Sequence, residues 1–174
     1  MSALEPLEKP LEDIFVKQAP PLPDGAKKWL VQYLPWINLI AGIFSLWAAW
    51  ALYHTAHTVN ALVDYVNSVS AAYGSTVKVN HLTFTVWLAI ATLAVAGLIY
   101  LFAFPATRER KKSGWDLMFY ALLLNLVYGV VAAFTDYGGV GRLIGAVIGA
   151  AIGLYFLFQI RESYLKSVPA SSKK

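Results

Sequence analysis

The stretch FTVWLAIATLAVAGLIYLFAF, residues 84–104, contains no Asp, Glu, Lys, Arg or His. An α-helix needs about 20 predominantly apolar residues to cross the hydrocarbon core of a bilayer. Three further uncharged blocks of similar length lie at about 34–53, 117–135 and 143–160. We therefore expect an all-α, polytopic membrane protein in which four transmembrane helices form a bundle.

The composition supports the same fold class. Of the 174 residues, 58% are hydrophobic and 14% are charged, and the mean hydropathy is +0.55. A soluble domain has about 25% charged residues, so this chain has too few charges to cover a water-facing surface. The absence of cysteine excludes disulfides, thiolate metal sites and thiol catalysis.

The sequence divides into an arm, a membrane domain and a tail. Residues 1–28 are polar and rich in proline, and we expect a flexible or extended cytoplasmic arm there. Residues 29–166 form the four-span membrane domain, and residues 167–174 form a short cytoplasmic tail. The first apolar block is too long for a cleaved signal peptide, so we interpret it as an uncleaved signal anchor.

The segment at about 56–73 has the pattern of an amphipathic helix. Apolar residues recur there at helical spacing, and polar residues occupy the other face. The polar residues are His57, Asn60, Asp64, Asn67 and Ser68. We predict an extracytoplasmic amphipathic helix, which either extends the first span or lies in the plane of the membrane interface.

Lysine and arginine are distributed very unevenly around the apolar blocks. Of the 14 residues, twelve lie before the first block, between the second and third, or after the fourth. Lys78 and Arg142 alone lie in the other two connections. Because basic residues stay on the cytoplasmic side, we expect a multi-pass protein of the inner or plasma membrane with both termini in the cytoplasm. The bias also disfavours a dual-topology transporter.

The fourth block carries a glycine at every fourth position, namely Gly141, Gly145, Gly149 and Gly153. This spacing lines one face of a helix with a smooth groove, which another helix can approach closely in lipid. We favour packing within the chain against small residues of the first span, namely Ala41, Gly42, Ser45 and Ala49. The alternative is a seam between the subunits of a homo-oligomer or a larger membrane complex.

Three amide side chains fall inside the apolar blocks, namely Asn38, Asn125 and Gln159. No acidic or basic side chain lies at mid-membrane depth, which disfavours proton-coupled transport. Asn125 is the deepest of the three. An unsatisfied amide in lipid is costly, so we expect it to form an interhelical hydrogen bond, with contact to a substrate as the alternative.

His54 and His57 stand one helical turn apart and are weak candidates for a metal site. The sequence supplies no third ligand, because Asp64 lies about 10 Å further along the helix. We therefore expect no metal and no cofactor, and we interpret both histidines as interfacial or capping groups.

The densest basic run contains Arg108, Arg110, Lys111 and Lys112. The topology signal alone accounts for this run, and it can also attract anionic lipid headgroups. A loop this short offers no groove-reading or stacking element, so we expect no nucleic-acid partner.

These patterns favour a non-enzymatic, accessory, structural or oligomeric membrane component that acts through glycine-mediated helix packing. The alternative is a small oligomeric channel or carrier for an uncharged or lipid-like solute. An enzyme acting on lipid ranks last, because it needs a general acid–base pair near the interface. The candidates for such a role are His57 with Asp64, or Asp116.

Overall fold

The computed structural model describes residues 5–74, 79–80, 82–135 and 139–165, and all regular secondary structure in these ranges is helical. Four helices are long and apolar enough to cross a membrane, which confirms the predicted helical class and the predicted number of such helices. In chain order the helices are α1 (Glu5–Glu12), followed by a π-helical turn (Asp13–Gln18), α2 (Asp24–Ala72), α3 (Phe84–Arg108), α4 (Lys112–Ala133), α5 (Val140–Gln159) and α6 (Glu162–Leu165).

The helix α2 is continuous over 49 residues, which makes it about 73 Å long at 1.5 Å per residue. It contains the predicted first span and also most of the segment predicted to be a separate amphipathic helix. Residues 56–72 are therefore the carboxyl-terminal third of α2. These residues continue the helix of the first apolar block without a break.

The helix α3 continues past Pro105, the residue that directly follows the uncharged block 84–104, and ends at Arg108. Its last turn closes as a Schellman motif, in which Lys111 N–H donates to the Ala106 carbonyl (2.9 Å) and Arg110 N–H to the Thr107 carbonyl (3.1 Å). Arg110 has a φ of 53°, in the left-handed region. A proline inside an apolar helix removes one backbone hydrogen bond. Neighbouring helices and serine or threonine side chains can supply a partner for the carbonyl group that is left.

Extensive packing joins consecutive helices, namely α2 with α3, α3 with α4, and α4 with α5, whereas α2 and α5 have few or no contacts. The first pair approaches closely at Gly42 and Gly97. A Cβ atom built on Gly42 would lie 2.9 Å from the Leu101 side chain, and one built on Gly97 would lie 2.8 Å from Leu46. Two glycines that face each other allow the two backbones to pack tightly.

The main buried cluster lies at one end of the bundle. We call this the basic end, because it includes the α3–α4 loop with its arginines and lysines, and we call the other the opposite end. Trp115, which is 1% exposed, lies at the centre of the cluster and donates from Nε1 to the Leu157 carbonyl (2.8 Å). Its ring packs against Phe119 and Phe158. The tryptophan is therefore part of the core of the bundle.

Residues 5–18 are helical and lie against α5, where the sequence predicts a flexible or extended arm. Gln159 holds this arm through two backbone groups. Its Nε2 donates to the Phe15 carbonyl (2.8 Å), and its Oε1 accepts from Leu22 N–H (3.1 Å). The difference arises from contacts between residues far apart in sequence, which a local pattern of prolines and charges does not reveal.

Candidate functional site

A cleft of about 530 Å³ opens between α2 and α5, and we call it the α2–α5 cleft. It exists because α2 packs on α3, and α5 on α4, without α2 and α5 closing against each other. Side chains of α3 and α4 form its floor, including Tyr100 and Asn125. Its two walls carry small residues, namely Ala41 and Ser45 of α2 and Gly145 and Gly149 of α5.

A second cavity of about 230 Å³ adjoins the cleft towards the basic end. Ala41, Tyr100 and Leu122 line both cavities. The second cavity is lined by Leu34, Leu157 and other residues of the buried cluster or packed against it. The space between α2 and α5 is therefore open along the middle of the helices and is closed by the core at the basic end.

The glycines of α5 have two different environments. A Cβ atom built on Gly153 would lie 2.6 Å from the Leu122 side chain, so this glycine packs against α4. At Gly141, Gly145 and Gly149 an added Cβ would meet no atom within 4 Å. These three glycines, which we call the bare glycines, have no packing partner among the described residues.

The partner that we favour from the sequence does not contact the bare glycines. Ala41 and Ser45 line the opposite wall of the cleft, and Gly42 packs against α3 instead. Gly42 faces Gly97 of α3 rather than α5. A periodic pattern within one helix does not indicate which neighbouring helix each residue will face. Whether the bare glycines meet another chain stays a prediction.

Asn38 is a structural residue at the basic end. It is 3% exposed, and its Nδ2 lies 3.2 Å from the Met118 sulfur and 3.5 Å from the Thr107 hydroxyl oxygen. These contacts tie α2 to α3 and α4. The buried amide nitrogen therefore has hydrogen-bond partners, as buried polar groups usually do.

Asn125 differs from the expectation of an interhelical hydrogen bond. Its Nδ2 donates to the Ala121 carbonyl of its own helix (2.8 Å), and the side chain is exposed at the α2–α5 cleft. An asparagine can satisfy its donor on the carbonyl four residues earlier, so it needs no partner on a second helix. The amide is therefore a polar group of the cleft, and its contact with a solute stays a prediction.

Arg161 forms the most buried ion pairs among the described residues. Its guanidinium donates to Glu8 (2.6 Å) and to Glu12 (2.7 Å), and Glu8 is 2% exposed. It also lies 5.3 Å from the centroid of the Trp115 ring, at cation–π distance. Sequence reasoning misses this cluster. The available signal is two glutamates one helical turn apart in α1, although nothing in the sequence identifies Arg161 as their partner.

Two further polar groups are buried next to this cluster. Burial raises the pKa of Tyr164 to about 12, so its phenol is neutral at physiological pH. Asp116 has one carboxylate oxygen that is buried without a hydrogen-bond partner in the described structure.

The histidines belong to an aromatic cluster in the second half of α2, where α2 packs against the first turn of α3. His54 packs on Trp50 with ring centroids 4.5 Å apart, and His57 packs on Tyr53 at 4.5 Å and on Trp87 at 5.8 Å. Among the described residues, no group of three or more His, Asp or Glu side chains is placed to hold a metal ion. His81, in the α2–α3 loop, lies outside the described residues.

Two residues of the polar face of α2 have a structural role. Asn67 donates to the Val79 carbonyl (2.9 Å) and accepts from Val79 N–H (2.8 Å), and Asn60 accepts from Leu82 N–H (3.0 Å). They hold the backbone that leads into α3. The polar pattern of this segment is thus explained in part by loop attachment rather than by a partner.

The residues of the basic run, Arg108 to Lys112, lie in two places, at the surface and at a third cavity. Arg110 lines a cavity of about 460 Å³ at the basic end, together with Lys27 and Lys28 of α2. Lys111 forms an ion pair with Glu109 at the surface. Neither Arg108 nor Lys112 lines the cavity.

No family model matches this chain, and no match is found among curated proteins or solved structures.

Proposed function

We propose that this chain is a non-enzymatic, multi-pass protein of the inner or plasma membrane. The outward surface of α2 supports this placement, because Trp36, Ile40, Phe44 and Trp47 are each more than half exposed. A continuous apolar surface of this kind is unfavourable in water. In a bilayer the same side chains contact lipid tails.

The proposed orientation puts the basic end in the cytoplasm. Its support is the concentration of lysine and arginine at that end. In this orientation α2 leaves the bilayer near residue 53, and residues 54–72 extend about 28 Å into the extracytoplasmic space. This extension would carry the predicted amphipathic face outside the hydrocarbon core.

Within the membrane, we infer that the protein accepts a transmembrane helix of a second copy in the α2–α5 cleft. The observation that carries this proposal is the bare glycines, which have no atom within 4 Å of an added Cβ. Helices associate in lipid by close packing of small residues. The helix α5 is also the least buried of the four spans, with 11% of its most apolar stretch buried, against 28% for α4.

The test is the oligomeric state of the protein after extraction in a mild detergent. We expect the parent to form oligomers and the double variant Gly145→Leu, Gly149→Leu to be monomeric, because leucine would fill the groove. Val147→Leu, on a half-exposed position of the same helix, is the matched control and leaves the oligomer intact. A strictly monomeric parent, or an oligomer unaffected by the double variant, contradicts the proposal.

A second candidate function is a carrier or channel for an uncharged or lipid-like solute. The cleft volume of about 530 Å³ falls within the range of small-molecule sites, about 300–1,000 Å³. Its polar lining is uncharged and includes Ser45, Tyr100 and Asn125. Asn125→Leu should abolish flux in reconstituted vesicles if the cleft is the solute path, and equal flux of the variant and the parent contradicts that role.

A further inference from the structure

Three cationic side chains from two distant segments meet at the third cavity. Lys27 and Lys28 belong to the first turns of α2, and Arg110 belongs to the α3–α4 loop. The cavity has a volume of about 460 Å³. Its lining also includes Gln32 and Ser163, two residues whose side chains can donate hydrogen bonds to an anion.

The charges of this cavity are not balanced from within. Asp24 is the one carboxylate in its described lining, against three cations, which leaves an excess of two positive charges. Among the described residues, no ion pair joins Lys27, Lys28 or Arg110 to a carboxylate. Like charges that converge without partners are unfavourable unless an anion lies between them.

The backbone at Arg110 adds an independent argument. Arg110 occupies the left-handed position of the Schellman motif, with a φ of 53°. Glycine is the usual residue at this position, because a Cβ atom is sterically unfavourable there. An arginine at this position carries a steric cost, and the residue lines the cavity.

The cavity lies at the depth of the membrane interface in the proposed orientation. Trp29 and Tyr33, from the same turns of α2, are 56% and 43% exposed, and their rings are 5.0 Å apart. Exposed tryptophan and tyrosine are typical of the headgroup region. An anion bound at this depth would be attached to a lipid.

We propose that Lys27, Lys28 and Arg110 bind the phosphate group of an anionic lipid headgroup. Basic pockets between transmembrane helices on the cytoplasmic side commonly bind such headgroups. The inference rests on the proposed placement in the membrane, and it is independent of helix docking in the α2–α5 cleft. Arg110 is the decisive residue, because it brings the α3–α4 loop to the lysines of α2.

The test is lipid retention by the full-length protein, measured by native mass spectrometry in detergent with added phosphatidylglycerol or phosphatidylcholine. We expect selective retention of phosphatidylglycerol. Arg110→Gly should weaken this retention about fivefold, as expected for one cation near the headgroup. Glycine suits the left-handed backbone, so this variant should fold at least as well as the parent, which a thermal scan checks. Lys27→Gln should weaken retention to a similar extent.

Arg108→Gln is the matched control, because it removes one positive charge from the same loop region without changing the cavity lining. An equal loss in Arg108→Gln, or equal retention of the two lipids by the parent, overturns the proposal. Tighter binding of inorganic phosphate than of phosphatidylglycerol, measured on the delipidated protein, overturns the lipid as the source of the anion. A chain absent from the membrane fraction would instead refute the proposed placement, so the two failures are distinguishable.

Discussion

The two ends of the bundle differ in how they are held together. At the basic end, Trp115 and Phe119 are almost fully buried, and the amino-terminal arm is tied to α5 by Arg161 and Gln159. Towards the opposite end, α2 and α5 separate and the bare glycines face open space. Long-range polar contacts therefore stabilise one half, while the other half leaves a packing surface uncovered.

The basic end is packed by residues of the chain itself, whereas the rest of the bundle leaves a surface that another helix could cover. The basic end satisfies its own packing, since its core includes residues from α2, α3, α4, α5 and α6. The middle and the opposite end are held by contacts between pairs of helices. At Gly42 and Gly97 the backbones of α2 and α3 approach each other closely. Substitutions should therefore be costly at the basic end and mild at the bare glycines.

The largest effect is expected for Arg161→Gln. This change leaves the Glu8 carboxylate, which is 2% exposed, without its cationic partner. Breaking a buried pair on one side typically costs about 3–5 kcal/mol. Thermal unfolding in detergent should show the loss, and trypsin should cleave after Lys17 more quickly in the variant. Glu12→Gln, at a more exposed carboxylate, is the control. A variant as stable as this control would show that the arm is not held by the ion pairs.

A smaller loss is expected for Gly114→Ala, in the first turn of α4, which packs closely against the end of α3. A Cβ atom there would lie 2.6 Å from the Thr107 backbone nitrogen and 2.7 Å from the Ala106 carbonyl carbon. Backbone atoms cannot yield as a side chain can, so we expect destabilisation of about 1–3 kcal/mol. The unfolding midpoint measures it. Gly25→Ala, where an added Cβ meets no atom within 4 Å, should leave the midpoint unchanged. Equal midpoints for both variants would contradict the close approach of α4 to the end of α3.

A local effect is expected for Asn67→Ala at the end of α2. The change removes both hydrogen bonds to the Val79 backbone, each worth about 1 kcal/mol. Hydrogen exchange at the Val79 amide should accelerate. Ser68→Ala, which loses a bond within its own helix, serves as the control and should leave that amide unchanged. Unaltered exchange in Asn67→Ala would show that the loop is held by other contacts.

The smallest effect is expected for Gly145→Ala in the monomer. The added methyl group enters open space, so stability should not fall, and the higher helix propensity of alanine can raise it by about 0.5–1 kcal/mol. Gly42→Ala is the contrasting variant, since its Cβ would lie 2.9 Å from Leu101 and 3.1 Å from the Gly97 carbonyl oxygen. Unfolding midpoints of the two monomeric variants test the comparison directly. Similar losses in both would show that α5 is covered within one chain.

Much of the helical framework could be predicted from the sequence, because uncharged blocks and their length report directly on helices that suit a bilayer. The end of α3 could not be predicted in this way. A proline usually ends a helix, but α3 continues past Pro105 to Arg108. The docked arm was also beyond prediction. Its contacts join Glu8 to Arg161 and Phe15 to Gln159, and no periodicity links positions so far apart.

The candidate sites show the same division. The spacing of the glycines in α5 is visible in the sequence, but which of them are covered depends on the path of α4 and on the distance of α2. Likewise, the run of basic residues is visible, whereas the meeting of Arg110 with Lys27 and Lys28 requires the folded chain.

The sequence by itself determined the number of long apolar helices and their order, because hydropathy and charge act along the chain over about 20 residues. The tertiary structure decided which helix faces meet, which charges are buried together, and where a cleft remains. Those features depend on the distances between segments remote in sequence, and the physical interactions that set them are packing and paired hydrogen bonds rather than local composition.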